Sequence, residues 1–330
     1  MTSRERIRNI IAGRPTDRCG FWLGNPHPDT WPIYHRYFGT RTEEELRLKL
    51  GDDFRWLPVW GYHDRSGRGL FPISNEAAAG GPLAECRDVR QIDEHAWPKL
   101  EYVDFEPAMR ALENAGEFYR ASGMWTCFYH NVMDLFGTES YLANMYENPD
   151  IVQAVTDRVC QFYYDANEIF FKRAGRLIDG FFFGNDFGTQ LDLICGPKQF
   201  DAFVMPWLKQ FTSQGHRHGY QVILHSCGSI YRVIGRLIEV GIDCLHPLQA
   251  RARQMDAETL ARDFAGKIAF LGGVDTQQLL VQGTPGEIKV DVRRLKQLLG
   301  PRLIVSPSHE ALLPNVPPEN VAAMAEAALE

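Results

Sequence analysis

Eight short apolar runs, each followed by a stretch with helical periodicity, constrain this chain of 330 residues more than any other feature. The runs lie at 20–23, 54–60, 118–126, 179–183, 221–225, 244–248, 268–271 and 303–306. Apolar residues recur with a helical period over 41–49, 106–115, 149–172, 197–216, 230–240, 257–264, 285–299 and 318–329. Pro149, Pro197, Pro285 and Pro318 open four of these, at a position where the missing N–H costs nothing. Strands joined by helical crossovers make a parallel sheet, and eight such units are the number that closes an α/β (β/α)8 TIM barrel. The competing arrangement is an open doubly wound sheet, but no Gly-x-Gly-x-x-Gly turn follows an early strand. The expectation is therefore one barrel domain over 1–330. A long excursion at about 61–98, rich in glycine and charge, would lie between the second and third units and act as a lid.

With 45% hydrophobic residues the chain can bury a large core. A formal net charge of −7, a pI near 5.8 and the lack of any lysine or arginine run argue against nucleic acid or an anionic membrane surface as partner. A small molecule is the expected substrate. No apolar run approaches the roughly 18 residues of a membrane span, and Met1-Thr2-Ser3-Arg4-Glu5-Arg6 is unlike a secretion signal. The expected location is cytoplasmic. Seven scattered cysteines, an odd number, fit reduced thiols better than a disulfide framework.

In a barrel of this kind the chemistry gathers where the strands end. Those ends carry Asn25 and His27, His63, Cys127 and His130, Asn185 and Asp186, His225 and Cys227, His246 and Gln249, Asp275 and Gln277, and His309 and Glu310. Strand ends meet water and are polar for that reason alone, but this explains lysine as well as histidine. His225 and Cys227 are two apart, so both point to one side of an extended chain. Imidazole nitrogen and thiolate sulfur are zinc ligands, and a catalytic zinc keeps three protein ligands with one position open. His309, on the strand next to the first in a closed barrel, is the expected third ligand. Asp186 is the expected fourth ligand or proton carrier. The competing view makes Cys227 a small buried hydrophobe and His225 a hydrogen-bonded core residue. Trp22, Trp60, Trp125 and Phe183 near strand ends are expected to be mainly core. Asp275 and Gln277 after Gly272-Gly273 either bind a polar substrate group or form a tight turn.

Four segments together resemble the uroporphyrinogen decarboxylase superfamily, which includes corrinoid-linked methyltransferases. They are Gly184-Asn185-Asp186-Phe187-Gly188-Thr189-Gln190, His225-Ser226-Cys227-Gly228-Ser229-Ile230, Phe270-Leu271-Gly272-Gly273-Val274-Asp275, and Pro307-Ser308-His309 followed by Pro317-Pro318-Glu319-Asn320-Val321. The resemblance runs from Gly184 to the C-terminus, is loose in the N-terminal third, and implies a (β/α)8 barrel. True uroporphyrinogen decarboxylases carry an arginine-rich segment after the first strand, where this chain has Gly24-Asn25-Pro26-His27-Pro28-Asp29. Without those arginines a substrate with many carboxylates loses its natural partners. A late histidine, matched by His309, still favours the decarboxylase. The methyltransferase branch implies zinc on His225 and Cys227, with His309 where its members place a second cysteine. It also implies a methyl group moving between methylcobalamin on a separate corrinoid protein and a thiol or folate acceptor. Asp93-Glu94-His95 is only superficially like a corrinoid-binding signature. The expected site is thus His225, Cys227 and His309 as zinc ligands and Asp186 and His309 as catalytic groups, with Asn25, His27, Asn185, Gln190, His246, Gln249 and Asp275 around the substrate. Tetrapyrrole decarboxylation and a non-catalytic ligand- or metal-binding barrel are the alternatives.

Overall fold

Ten strands and the helices between them are seen in a computed structural model, which describes residues 1–64, 69–71 and 80–330. The strands are β1 (Gly20–Phe21), β2 (Phe54–Trp56), β3 (Gly61–Tyr62), β4 (Val103–Asp104), β5 (Tyr119–Ser122), β6 (Gly180–Gly184), β7 (Gln221–His225), β8 (Cys244–His246), β9 (Ala269–Val274) and β10 (Leu303–Pro307). Eight of them form one sheet in the order β1-β10-β9-β8-β7-β6-β5-β2. Every neighbouring pair in it is parallel. The members are the eight runs read from the sequence, and together with the helices they form a (β/α)8 barrel. β1 and β2, the two ends of the order, meet through the Asp53 N–H donating to the Phe21 carbonyl at 2.9 Å. The side chains of Asp53 and Asp52 complete the seam by accepting from the N–H groups of Phe21 (3.1 Å) and Leu23 (3.2 Å).

The strands are apolar on both faces because both are covered. On β6, Phe181 and Phe183 pack outward against the helical layer, while Phe182 points inward with Trp22, Phe54, Ile223, Cys244, Leu271 and Ile304. Ile7, Ile10 and Ile11 of the helix Ser3–Ile11 close the bottom of that inner core. Since strand side chains alternate, Ile223 and Cys244 facing inward place His225 and His246 inward as well, one layer higher.

Helices fall where the periodicity puts them, at Glu43–Leu50, Glu106–Asn114, Pro149–Ala174, Tyr231–Glu239, Ala257–Phe264, Pro285–Leu299 and Pro318–Leu329. The expected 197–216 helix is two, Pro197–Phe203 and Met205–Arg217. Helices that periodicity did not mark are Ser3–Ile11, Trp31–Phe38, Val89–Glu94, Phe128–Phe136, Thr138–Glu147 and the short Leu279–Gln282. Of the 61–98 excursion, 65–68 and 72–79 lie outside the described residues, and the lid expectation rests on them in part. Its described start pairs with the segment beyond it, β3 running antiparallel to β4. No helix among the described residues is long and apolar enough to cross a membrane.

Candidate metal centre and its flanking cavities

The top of the barrel interior holds one cluster in which N, S and O donors converge. His225 Nε2 lies 3.1 Å from Asp186 Oδ1 and 3.5 Å from Cys227 Sγ. The donor atoms of Asp186, His225 and Cys227 all lie within 4.8 Å of one another. In a tetrahedron built on zinc bond lengths, nitrogen and oxygen donors sit about 3.3 Å apart and nitrogen and sulfur about 3.6 Å apart. The donor types and spacings therefore suit one zinc ion with an open position.

Backbone geometry assembles the cluster. β6 and β7 are in register, Gly184 opposite His225, and the Asn185 N–H donates to the His225 carbonyl at 2.9 Å. This carries Asp186 to the layer just above His225, where Asp186 Oδ1 also accepts the Cys227 N–H at 2.9 Å. Gly228 turns the chain away immediately afterwards, with φ +83°. A Cβ there would fall 2.1 Å from the Gly188 carbonyl oxygen, so only glycine lets the two loops cross.

The charges reinforce one another. Burial alone would raise the Asp186 carboxyl, but the hydrogen bond and charge of His225, with the Cys227 N–H, hold it well below the usual carboxylate range. Burial likewise opposes charge on His225, yet Glu310, Asp186 and Cys227 outweigh it and raise His225 well above an ordinary histidine. Burial raises the Cys227 thiol, partly offset by His225. Burial and the neighbouring charges of His225 and His309 hold His246 in the neutral form.

The expected site residues separate into groups. His225, Cys227 and Asp186 come together. His309, expected as the third ligand, does not join them: it is half-exposed, and its Nδ1 accepts the Ala311 N–H at 3.1 Å. From the same loop it is Glu310 that turns inward, its Oε2 3.7 Å from His225 Nδ1 and 3.8 Å from His309 Nδ1. His246, expected near substrate, is buried with its Nδ1 3.0 Å from His225 Nδ1. The Asn185 amide is also buried, accepting from the Tyr129 N–H and donating to the Thr126 carbonyl, which ties it into the β5 and β6 loops. Asn25 and His27 are exposed on the β1 loop, which is stitched by its N–H groups to Glu310 and Leu312.

Two cavities flank the cluster. The larger, about 450 Å³, is lined by Gln249, Arg251, Asp275, Ser308, His309 and Asn315 among others. Gln249 accepts from Gly228 N–H and from Gln190 Nε2, bridging this cavity to the Cys227 loop. Asp275 receives Arg251 at 3.3 Å and the N–H groups of Gln277 and Leu279, so it shapes the turn and the cavity wall at once. The smaller cavity, about 290 Å³, is lined by Trp125, Cys127, His130, Asp134, Asp186 and His225 among others. His130 and Asp134 are four apart on the helix Phe128–Phe136, a spacing that puts both on one face.

Of the four aromatics, Trp22 and Phe183 are core, as expected. Trp125 instead stands with its ring 5.3 Å from that of His225. Trp60 is 63% exposed, and Trp56, Trp60 and Trp125 form a wall with ring separations of 5.0–6.3 Å.

No protein of curated function matches this sequence. Among solved structures, a methyltransferase from Methanosarcina mazei aligns at a TM-score of 0.68 and 17% identity, covering 99% of this chain and 98% of that one, which is a likeness of fold. A structure named for the vitamin-B12 independent methionine synthase of Listeria monocytogenes aligns at only 0.45 and 10% identity, over 95% of this chain and 96% of that one. Residues 120–330, spanning β5 to the last helix and every residue of the metal cluster, match the uroporphyrinogen decarboxylase (URO-D) family model, and the chain belongs to that family.

Proposed function

We propose that this chain is a zinc-dependent methyltransferase of the URO-D family, moving a methyl group between a corrinoid protein and a thiol or folate acceptor. The observation that carries this reading is the convergence of Asp186, His225 and Cys227 at the barrel mouth. Zinc held there would supply the charge that keeps an acceptor thiol deprotonated and nucleophilic. The chain's own residues do the rest. Asp186, fixed by the Cys227 N–H and by His225, holds negative charge beside the open position. The smaller cavity is lined by Asp186 and His225 themselves, and the larger reaches the Cys227 loop through Gln249, so that two separate cavities are at hand for donor and acceptor. Arg251 is the one arginine lining the larger cavity among the described residues, and the smaller has none. A tetrapyrrole bearing many carboxylates would find too few counter-charges, and this favours methyl transfer over decarboxylation.

The test is metal content by elemental mass spectrometry, followed by methyl transfer from free methylcobalamin to a simple thiol. We expect about one zinc per chain, lost in Cys227→Ser and Asp186→Asn and kept in His309→Ala. A wild-type protein that takes up no zinc on reconstitution defeats the reading. Loss of zinc in His309→Ala would instead return His309 to the ligand set.

A further inference from the structure

Resting on the zinc reading of this site, we infer that His246 is a positioning residue of the metal centre: its Nδ1 accepts the Nδ1–H of His225, so that His225 presents Nε2 to an ion shared with Asp186 and Cys227.

Only one of the two ring nitrogens of His225 faces the other ligands, Nε2, at 3.1 Å from Asp186 and 3.5 Å from Cys227. A neutral histidine that ligates through Nε2 carries its proton on Nδ1, and that proton needs an acceptor. The nearest candidate is His246 Nδ1 at 3.0 Å, with Glu310 Oε2 farther away at 3.7 Å. The pairing is built into the sheet. β7 and β8 are adjacent parallel strands with His225 and His246 as register partners, and the Ser226 N–H donates to the His246 carbonyl at 2.7 Å. A one-residue slip of either strand would turn its histidine out of the barrel.

For His246 Nδ1 to accept, its own proton must sit on Nε2. That atom is buried and has no hydrogen-bond partner among the described residues. The rings of Trp22 and Phe182 pack edge-on against His246 at 5.2 and 5.3 Å and hold it in place. An orphaned N–H in a protein core is uncommon. Here it follows from the demand made on the opposite nitrogen. Glu310 Oε2, likewise buried and without a donor, adds negative charge on the same side of His225. A direct carboxylate acceptor would do the same work, but the shorter contact belongs to His246.

Zinc affinity, measured by competition with a chromogenic chelator, tests the assignment. His246→Leu removes the acceptor and should weaken zinc binding 10- to 100-fold. His246→Asn returns an acceptor oxygen close to the Nδ1 position and should recover affinity to within about threefold. Equal, wild-type affinity in both variants overturns the inference while leaving the zinc site intact. Absence of zinc from the wild type overturns both. Should His246→Leu fail to fold, 15N-histidine NMR of the zinc-loaded wild type decides: His246 protonated on Nε2 is expected, and His246 protonated on Nδ1 overturns the assignment. Two zinc ions per chain, with the second lost in Glu310→Gln, would also overturn it, because the His225–His246–Glu310 group would then be a site of its own.

Discussion

His225 is engaged through both ring nitrogens, and its neighbours on the two sides do different work. Toward Asp186 and Cys227 it presents Nε2; toward His246 and Glu310 it presents Nδ1. The spacing of His225 and Cys227 was legible because a strand's alternation needs only the sequence to be read. The inward turn of Glu310 was not, because nothing local says which of two consecutive loop residues, His309 or Glu310, faces the barrel. Histidine is the better zinc ligand of the two, yet the Ala311 N–H captures its Nδ1. Gly184 is a further single-residue constraint. A Cβ there would lie 2.3 Å from the Trp125 ring and 2.9 Å from the His225 Cβ. Gly184→Ala should therefore displace Trp125, cost about 1–3 kcal/mol in urea denaturation, and change the near-ultraviolet circular dichroism. An unchanged spectrum with unchanged stability would mean that Trp125 is not seated against β6.

Among the elements, the strands were easier to read than the helices that follow them. All eight barrel strands are short apolar runs bounded by turn residues, whereas Phe128–Phe136, the first helix after β5, buries residues on more than one face, which blurs the period. Ser3–Ile11 carried a signal that went unused: Thr2 and Glu5 form a capping box at its start. Helix–helix contacts also set a pH response. Glu168 on Pro149–Ala174 receives Gln214 Nε2 at 3.1 Å and lies 3.2 Å from both His218 and Lys172. Burial opposes its charge, but donation from Gln214, His218 and Lys172 holds the carboxyl down to about 2, from a usual 4.5. The unfolded chain therefore binds this proton more readily, and the stabilisation, complete above pH 4.5, is lost as pH falls toward 2. Glu168→Gln should flatten that part of the melting-temperature profile relative to wild type. Parallel profiles would show that the contacts contribute nothing. Gly228→Ala, by forcing the β6 and β7 loops apart, should reduce both zinc content and melting temperature; full zinc occupancy would exclude the crossing of those loops as a determinant of the site.

For the whole molecule, closure of the ring depends on charge as well as on strand pairing. Asp53, fully buried beneath the barrel, receives Arg6 at 2.8 Å, Arg18 at 2.7 Å, Ser3 at 2.7 Å and the Phe21 N–H. Asp179 gathers Arg4, Arg8 and Arg120 in the same way under β6. Removing the charge of Asp53 leaves two arginines without it, and Asp53→Asn should cost about 3–5 kcal/mol in denaturant unfolding. A loss below about 1 kcal/mol would mean that the seam is held by the backbone alone. The sheet order has a second consequence. Among the described residues β1 finds its one ladder partner in β10, Gly20 opposite Ile304 and Phe21 opposite Val305. Contacts between residues so far apart in sequence close late, because the loop entropy must be overcome before they form. On the ribosome, β1 must therefore wait until β10 has been made. Until residue 307 clears the exit tunnel, the nascent protein is an open sheet with an unpaired edge, and chaperone dependence during synthesis should end with the last strand rather than build up gradually with length.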